Sequence, residues 1–129
     1  MKPSITILLA DDEAILLIDY EHALIAAGFA VIAVSSGAKA IAALDETPIQ
    51  GVITDVRFAA PPEGWEVGRA ARRTDPEMPV VYVSGHGSAE WPIEGVPNSI
   101  MLEKPFAMAQ LVTAISQLLN ARSVPNSSS

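Results

Sequence analysis

Short runs of apolar, mostly β-branched residues alternate along the chain with longer segments of helical periodicity. Each apolar run is flanked by turn-forming residues, which is typical of buried strands. In the longer segments apolar residues recur every three or four positions, which predicts helices. The predicted strands are 5–10, 29–33, 51–54, 80–83 and 99–102. The predicted helices are 14–27, 38–44, 65–73 and 107–121.

Strands that alternate with helices form a parallel sheet with helices on both faces. We therefore predict an α/β fold with one domain over residues 1–122, followed by a disordered, Ser-rich tail over 123–129. The segment 89–98 differs because Pro92, Gly95 and Pro97 interrupt it. It has room for little more than one helical turn, so the fourth helix is predicted to be short or missing.

Composition narrows the classes of protein to which the chain can belong. Its 129 residues suit a single domain, and a hydrophobic fraction of 50% favours a compact globule. The net charge of −7, from 8 basic and 15 acidic residues, argues against direct binding to nucleic acid. The absence of cysteine excludes disulfides and thiolate metal sites. The first apolar run is too short for a signal peptide or a membrane span, so we expect a cytoplasmic protein.

Polar side chains follow four of the five predicted strands. Asp11 and Asp12 come after the first strand, Asp55 after the third, Ser84 after the fourth and Lys104 after the fifth. The carboxyl ends of parallel strands share one edge of the sheet, where ligands bind in open α/β folds. Carboxylates suit Mg²⁺, while an ammonium and a hydroxyl can bind a phosphoryl group. Each residue alone fits an ordinary helix start or loop, but their combination favours phosphoryl transfer.

This set of residues resembles that of response-regulator receiver domains, over about residues 4–121. The similarity lies in the Asp-Asp pair, the single Asp, the Ser and the Lys-Pro-Phe triplet at these spacings. It implies a flavodoxin-like, doubly wound sheet of five parallel strands in the order 2-1-3-4-5. It also implies a two-component signalling switch that takes a phosphoryl group from a histidine kinase or a histidine phosphotransferase.

The resemblance assigns a role to each residue of the set. Asp55 is the phospho-acceptor, a nucleophile that forms an acyl phosphate, and Ser84 is the hydroxyl that moves toward the phosphoryl group. Lys104 pairs with that group, and the Lys104–Pro105 peptide bond is expected to be cis. Beyond its own phosphorylation and dephosphorylation, the domain is not expected to be an enzyme. The implied Mg²⁺ ligands are Asp12, Asp55, the backbone carbonyl of Arg57 and, partly through water, Asp11.

Three departures from the family pattern concern the loops and the fifth strand. Met101 stands where the family has a switching aromatic residue; it either fills the same gap or is an ordinary core methionine. The short fourth helix removes part of a family dimerisation surface, and we expect a monomer or a weak dimer. The loop after Asp55 is one residue longer than expected and contains Pro61-Pro62, which should change kinase access or phosphate lifetime. Arg57 in this loop either steers attacking water or is solvated.

A fourth departure is that the first helix has apolar residues on two faces, counted at about 100° per residue. One face should lie against the core and consists of Leu16, Tyr20, Ala23 and Ala27. The other should face solvent and consists of Ile15, Ile18, His22 and Ile25. Exposed aliphatic stripes often mark partner sites, and in the family this helix receives the phosphodonor. We predict docking of a kinase or phosphotransferase, or a dimer contact; the alternative is a broad core face.

Three functional hypotheses follow. The first is a receiver that signals to an unidentified downstream protein or relays phosphate, because the roughly eight residues after the last helix leave no room for a DNA-binding domain. The second is a phosphate-independent pseudo-receiver, or a receiver fragment of a larger regulator or hybrid kinase. The third is an aspartyl-phosphate hydrolase of the haloacid-dehalogenase type. That type has Asp-x-Asp after the first strand, whereas the acids here are adjacent.

Overall fold

The computed structural model describes residues 4–122, and the predicted disordered tail over 123–129 lies outside the described residues. Five strands and five helices alternate over this range, each predicted element lying within two residues of its expected ends. The strands are β1 Thr6–Ala10, β2 Ala30–Val34, β3 Gly51–Asp55, β4 Val80–Ser84 and β5 Ile100–Glu103. The helices are α1 Ala14–Ala26, α2 Gly37–Glu46, α3 Gly64–Thr74, α4 Trp91–Glu94 and α5 Met108–Ala121.

The five strands form one parallel sheet in the order β2-β1-β3-β4-β5, which confirms the predicted doubly wound α/β arrangement. In register, Ala10 at the end of β1 lies beside Thr54 of β3, and Asp55 lies beside Val83 of β4. The strand order reverses at β1 and β3. In open α/β sheets such a reversal leaves a crevice at the carboxyl ends of the strands; here Asp55 ends β3, and two acidic residues directly follow β1.

Two hydrophobic clusters cover the two faces of the sheet. One joins the sheet to α2 and α3 and includes Leu8 and Val52; the other joins it to α1 and α5 and includes Leu9 and Ile53. Consecutive residues of a strand belong to different clusters because their side chains point to opposite faces. β3 and β4 are buried along their whole length, which accounts for their continuous apolar runs.

The fourth helix is short, as its prolines and glycine predict, with only the four residues Trp91–Glu94. Side-chain hydrogen bonds hold the segment that follows it. Trp91 Nε1 donates to Ser99 Oγ at 2.9 Å, and Ser99 Oγ donates to the Val96 carbonyl at 2.6 Å. The buried Tyr82 hydroxyl accepts the Val96 backbone N–H at 3.1 Å. These bonds position the start of β5 without a long helix.

α1 has a buried face and an exposed face, with one correction to the predicted core stripe. Tyr20 is buried, as predicted, and Leu24 is buried beside it. Ala27 was predicted for the core, but it is exposed because α1 ends at Ala26 and the chain turns at Gly28, whose φ is +101°. Within the described residues, α1 and the other helices are all too short or too polar to cross a membrane.

Candidate functional site

Three carboxylates meet at the carboxyl edge of the sheet. Asp11 and Asp12 follow β1, and Asp55 ends the neighbouring strand β3. One ligand oxygen from each lies within 4.8 Å of the other two. Asp11 and Asp55 are buried, whereas Asp12 is exposed at the mouth of the pocket. The sheet topology thus brings together the three acids that we selected from the sequence.

Backbone donors fix one oxygen of each carboxylate. Asp11 Oδ2 is different, because it is buried and makes no hydrogen bond within the described part of the chain. A buried carboxylate oxygen without a donor is costly, and a nearby cation relieves that cost. The three fixed contacts are Glu13 N to Asp11 Oδ1 at 2.8 Å, Ala59 N to Asp12 Oδ2 at 3.0 Å and Val56 N to Asp55 Oδ1 at 2.9 Å.

Lys104, which directly follows β5, extends its side chain into this pocket. Its Nζ lies 3.1 Å from Glu13 Oε1 and 3.5 Å from both Asp11 Oδ2 and Asp55 Oδ2. Its backbone N–H donates to the Ser84 carbonyl at 2.9 Å, and the peptide bond to Pro105 is cis. The ammonium therefore offsets part of the charge of three carboxylates.

The charges of this pocket perturb one another. Burial, together with the negative charge of Asp11, raises the pKa of Asp55 to about 6, although Lys104 opposes the shift. Burial also raises the pKa of Asp11 above its ordinary value. For Lys104 burial alone would lower the pKa, but the charges of Asp55 and Asp11 outweigh it and raise the pKa. One lysine does not balance the acids, so the pocket favours a bound cation.

The residues present fit a Mg²⁺ ion. The donor set consists of hard carboxylate oxygens, and Mg²⁺ typically takes few protein ligands and keeps several waters. Asp11 Oδ2 has no hydrogen-bond donor among the described residues, and its 3.5 Å ion pair with Lys104 leaves it able to bind such an ion. Arg57, whose carbonyl was the fourth predicted ligand, directs its side chain to Glu63 at 3.0 Å and Glu90 at 2.5 Å. Arg57 is exposed, so these are surface ion pairs of a solvated loop residue.

Two further predicted residues lie near the pocket. Ser84 ends β4 at the same edge of the sheet, is 1% exposed, and its Oγ accepts the His86 backbone N–H at 3.1 Å. Met101 in β5 is half-buried and packs against the cluster formed with α2 and α3. His86 itself is exposed on the loop after β4, as expected for a loop residue.

The second stripe of α1 faces solvent rather than the core. Ile15 is 76% exposed, Ile18 51% and Ile25 52%, and His22 is also exposed. Large aliphatic side chains with this exposure, three on one short helix, are unusual unless a partner covers them. α1 begins three residues after Asp11, so the N-terminal end of this apolar stripe, at Ile15, lies next to the acidic pocket.

Two partners of site residues were not predicted from the sequence. Glu13, directly after the acid pair, is the closest carboxylate to Lys104, and its place in the run Asp11-Asp12-Glu13 was a usable signal. Glu90, the partner of Arg57, is 33 residues away from it along the chain. No pattern in the sequence connects these two residues, because their contact depends on the paths of two loops.

Comparisons with known proteins agree with this architecture. The family description "Response regulator receiver domain" matches residues 7–116. The crystal structure of a response regulator receiver protein from Sinorhizobium medicae is 64% identical, with a TM-score of 0.91 over 93% of this chain and 98% of that chain. The response regulator receiver protein CpdR of Brucella abortus is 31% identical over 117 residues, which are 89% of this chain and 97% of that protein.

Two further matches concern more distant or longer proteins. The receiver domain of a sensor histidine kinase from Pseudomonas aeruginosa was solved with a magnesium ion coordinated in its active site cleft. At 19% identity it shares the fold, with a TM-score of 0.80 over 92% of this chain and all of that chain. The chain spans about half the length of the transcriptional regulatory proteins from Mycobacterium that it also matches.

Proposed function

The chain belongs to the response regulator receiver domain family of two-component signalling, and from that premise we propose that Asp55 accepts a phosphoryl group from a phosphohistidine. The donor is a histidine kinase or a histidine phosphotransferase, and the acyl phosphate switches the domain between two signalling states. The observation that carries the proposal is the grouping of the buried Asp55 with Asp11, Asp12 and Lys104. Charge neutralisation and positioning are the main needs of phosphoryl transfer, and this set supplies both.

The two oxygens of Asp55 have different roles in this proposal. Oδ1 accepts the Val56 N–H and orients the carboxylate, which leaves Oδ2 to attack phosphorus. A phosphorus–oxygen bond forms as the phosphorus–nitrogen bond to the donor histidine breaks, and the imidazole leaves. Lys104 Nζ, already 3.5 Å from Oδ2, stays protonated and pairs with the transferred group. Ser84 Oγ, now an acceptor for His86 N–H, donates its proton to a phosphoryl oxygen.

We further propose that this chemistry requires Mg²⁺. The residues that would hold the ion are Asp11, Asp12 and Asp55, together with the backbone carbonyl of Arg57. Bound there, the ion supplies positive charge for the phosphoryl oxygens. The carboxylates themselves keep the position of the ion fixed, since each has one oxygen held by a backbone N–H.

The test is the intact mass of the protein after incubation with Mg²⁺ and acetyl phosphate. We expect the gain of one phosphate in the parent and none in the Asp55→Asn variant. A gain in both proteins would contradict Asp55 as the acceptor. If neither acetyl phosphate nor phosphoramidate labels the folded, Mg²⁺-bound parent, the hypothesis of a phosphate-independent pseudo-receiver is favoured instead.

We propose that the phosphodonor docks on the exposed stripe of α1, because the stripe is apolar and adjoins the acceptor pocket. The Ile18→Lys variant should then take phosphate from a phosphorylated histidine phosphotransferase more slowly, but from acetyl phosphate at the parent rate. Ala42→Lys, which adds the same charge on the exposed side of α2, is the matched control. Unchanged transfer in Ile18→Lys would refute docking at this stripe.

A further inference from the structure

Two segments in which this chain departs from the receiver pattern line one groove. The first is the loop from β3 to α3, residues 56–63, which contains Pro61-Pro62; the second is the shortened α4 with the preceding Glu90. Between them and α3 lies a cavity of about 570 Å³. Pockets of a few hundred cubic ångströms are the usual size of binding sites in proteins. We call this cavity the loop–α4 groove.

The loop–α4 groove is lined by apolar and by charged side chains, and we call the charged ones its rim. Phe58 is half-buried and Trp65 is buried, with Pro61 and Pro62 beside them. The rim holds four carboxylates and two guanidinium groups, so two negative charges are in excess. Its members are Glu63, Glu66, Glu90, Glu94, Arg57 and Arg69. A bound segment with an apolar side chain and basic neighbours would therefore complement this surface in both polarity and charge.

Four exposed ion pairs line the groove, and two of them, Arg57–Glu90 and Arg69–Glu94, join the loop and α3 to the α4 side. The four pairs are Arg57–Glu63 at 3.0 Å, Arg57–Glu90 at 2.5 Å, Arg69–Glu66 at 2.9 Å and Arg69–Glu94 at 3.4 Å. Ion pairs this accessible to water contribute little to stability, so exchanging one partner for another is easy. Lysine or arginine side chains of a bound segment can therefore engage the rim carboxylates without disturbing the fold.

The groove shares its loop with the acidic pocket. Ala59 lines the groove and donates its backbone N–H to Asp12 Oδ2 at 3.0 Å. Val56 N–H binds Asp55 Oδ1 at 2.9 Å, and the next residue, Arg57, makes the ion pairs of the rim. A change of charge at Asp55 or Asp12 therefore acts directly on the segment that shapes the groove.

We propose that the loop–α4 groove binds the downstream partner, through a protein segment that presents an apolar side chain flanked by lysine or arginine. The apolar side chain packs against Phe58 and the prolines, and the basic side chains pair with the rim glutamates. Binding itself does not require phosphorylation. Its regulation rests on the proposed function, since phosphorylation of Asp55 alters loop 56–63 and with it the affinity.

The experiment uses the full chain, labelled with ¹⁵N, in saturating Mg²⁺ so that the acidic pocket does not attract the probe. The probe is the blocked peptide Lys-Arg-Leu-Phe-Lys-Arg. One comparison peptide has Glu in place of every basic residue, and another has Ala-Ala in place of Leu-Phe. We expect amide shifts at residues 57–66 and 90–95 with the probe, and at least tenfold weaker binding of both comparison peptides. Equal binding of all three peptides, or no saturable binding of the probe, would overturn the proposal.

Charge reversal on the protein is the second arm. The double variant Glu66→Lys, Glu94→Lys should bind the probe at least tenfold more weakly than the parent. The control Asp45→Lys, Glu46→Lys makes the same charge change on the exposed part of α2 and should stay within twofold of the parent. If both double variants weaken binding equally, the probe senses only net charge and the groove is not its site.

Acetyl phosphate separates this inference from the proposed function. We expect phosphorylation to change the affinity for the probe at least threefold in the parent and not at all in Asp55→Asn. If the parent takes up phosphate but the probe shows no preference for the groove, the groove is refuted and the acceptor role stands. If the probe binds the groove but the parent takes up no phosphate, the acceptor role fails and the groove stands.

Discussion

Replacing Asp55 by Asn should stabilise the metal-free protein at neutral pH. Asp55 is only 6% exposed, and burial together with the charge of Asp11 raises its pKa from 3.8 to about 6. Since each pKa unit corresponds to about 1.4 kcal/mol, keeping this carboxylate ionised in the fold costs on the order of 3 kcal/mol at pH 7. Asn removes the charge and keeps an acceptor for the Val56 N–H.

The sign follows from the protons bound in each state. The pKa of Asp55 is higher in the folded protein, so the fold retains a proton on it through a range of pH in which the unfolded chain has lost that proton. The contribution of Asp55 to the stability of the parent is therefore greatest below about pH 4 and is lost as the pH rises through about 6. The gain from Asp55→Asn should be close to zero at pH 4 and reach about 1–3 kcal/mol at pH 7.

The measurement is urea unfolding followed by circular dichroism, in EDTA, at several pH values between 4 and 7. Asp45→Asn, which removes an exposed charge on α2, is the control and should change little at any pH. Mg²⁺ at about 100 times its dissociation constant should add about 2.7 kcal/mol to the parent and less to Asp55→Asn. A variant less stable than the parent at pH 7 in EDTA would show that the ionised carboxylate stabilises the fold, and would refute this reasoning.

Three other substitutions test the packing and charge of the site. In Gly64→Ala the new methyl group would collide with the backbone at the end of β3, so the free energy of unfolding in urea should fall by about 2 kcal/mol or more. In the control Gly85→Ala the methyl group points into open space, and the loss should be under about 0.5 kcal/mol. Tyr82→Phe leaves a buried backbone N–H without its acceptor and should cost about 1–3 kcal/mol in the same assay. Lys104→Met removes the cation that lowers the pKa of Asp55, so ¹³C carboxyl titration should give a pKa above about 6; a lower value would contradict the proximity of the two groups.

Much of the fold could be predicted because apolar runs and turn residues determine strands locally. The strands β3 and β4 are buried along their whole length. Their continuous apolar runs therefore predict strands locally, and burial in the sheet favours the same structure. The end of α1 was placed one residue late, since Ala27 suits a helix as well as a turn and only the positive φ of Gly28 decides between them. The short α4 followed directly from its prolines.

The acidic pocket could be predicted for a different reason, which is topology. Once the strand order is known, Asp11, Asp55 and Lys104 must lie at one edge of the sheet. Their chemical roles then follow from the residue types alone. The contacts of long, exposed side chains could not be predicted in this way. The pair Arg57–Glu90 depends on the paths of two irregular loops, which no periodicity encodes.

The buried charge of Asp55 destabilises the fold, and the same charge makes the acidic pocket sensitive to a bound cation. Burial and the charge of Asp11 both disfavour the ionised form of Asp55. A cation or an ammonium close to Asp55 therefore stabilises this ionised form strongly. The loop 56–63 would respond to such a change of charge, because it supplies the backbone donors to both Asp12 and Asp55. A stable, neutral pocket at this position would have no such coupling to the loop. If Asp55 is the phospho-acceptor, the acid cluster and the exposed ion pairs of the neighbouring groove would therefore act as two parts of one switch, and the unfavourable charge of Asp55 would make its phosphorylation detectable at the surface.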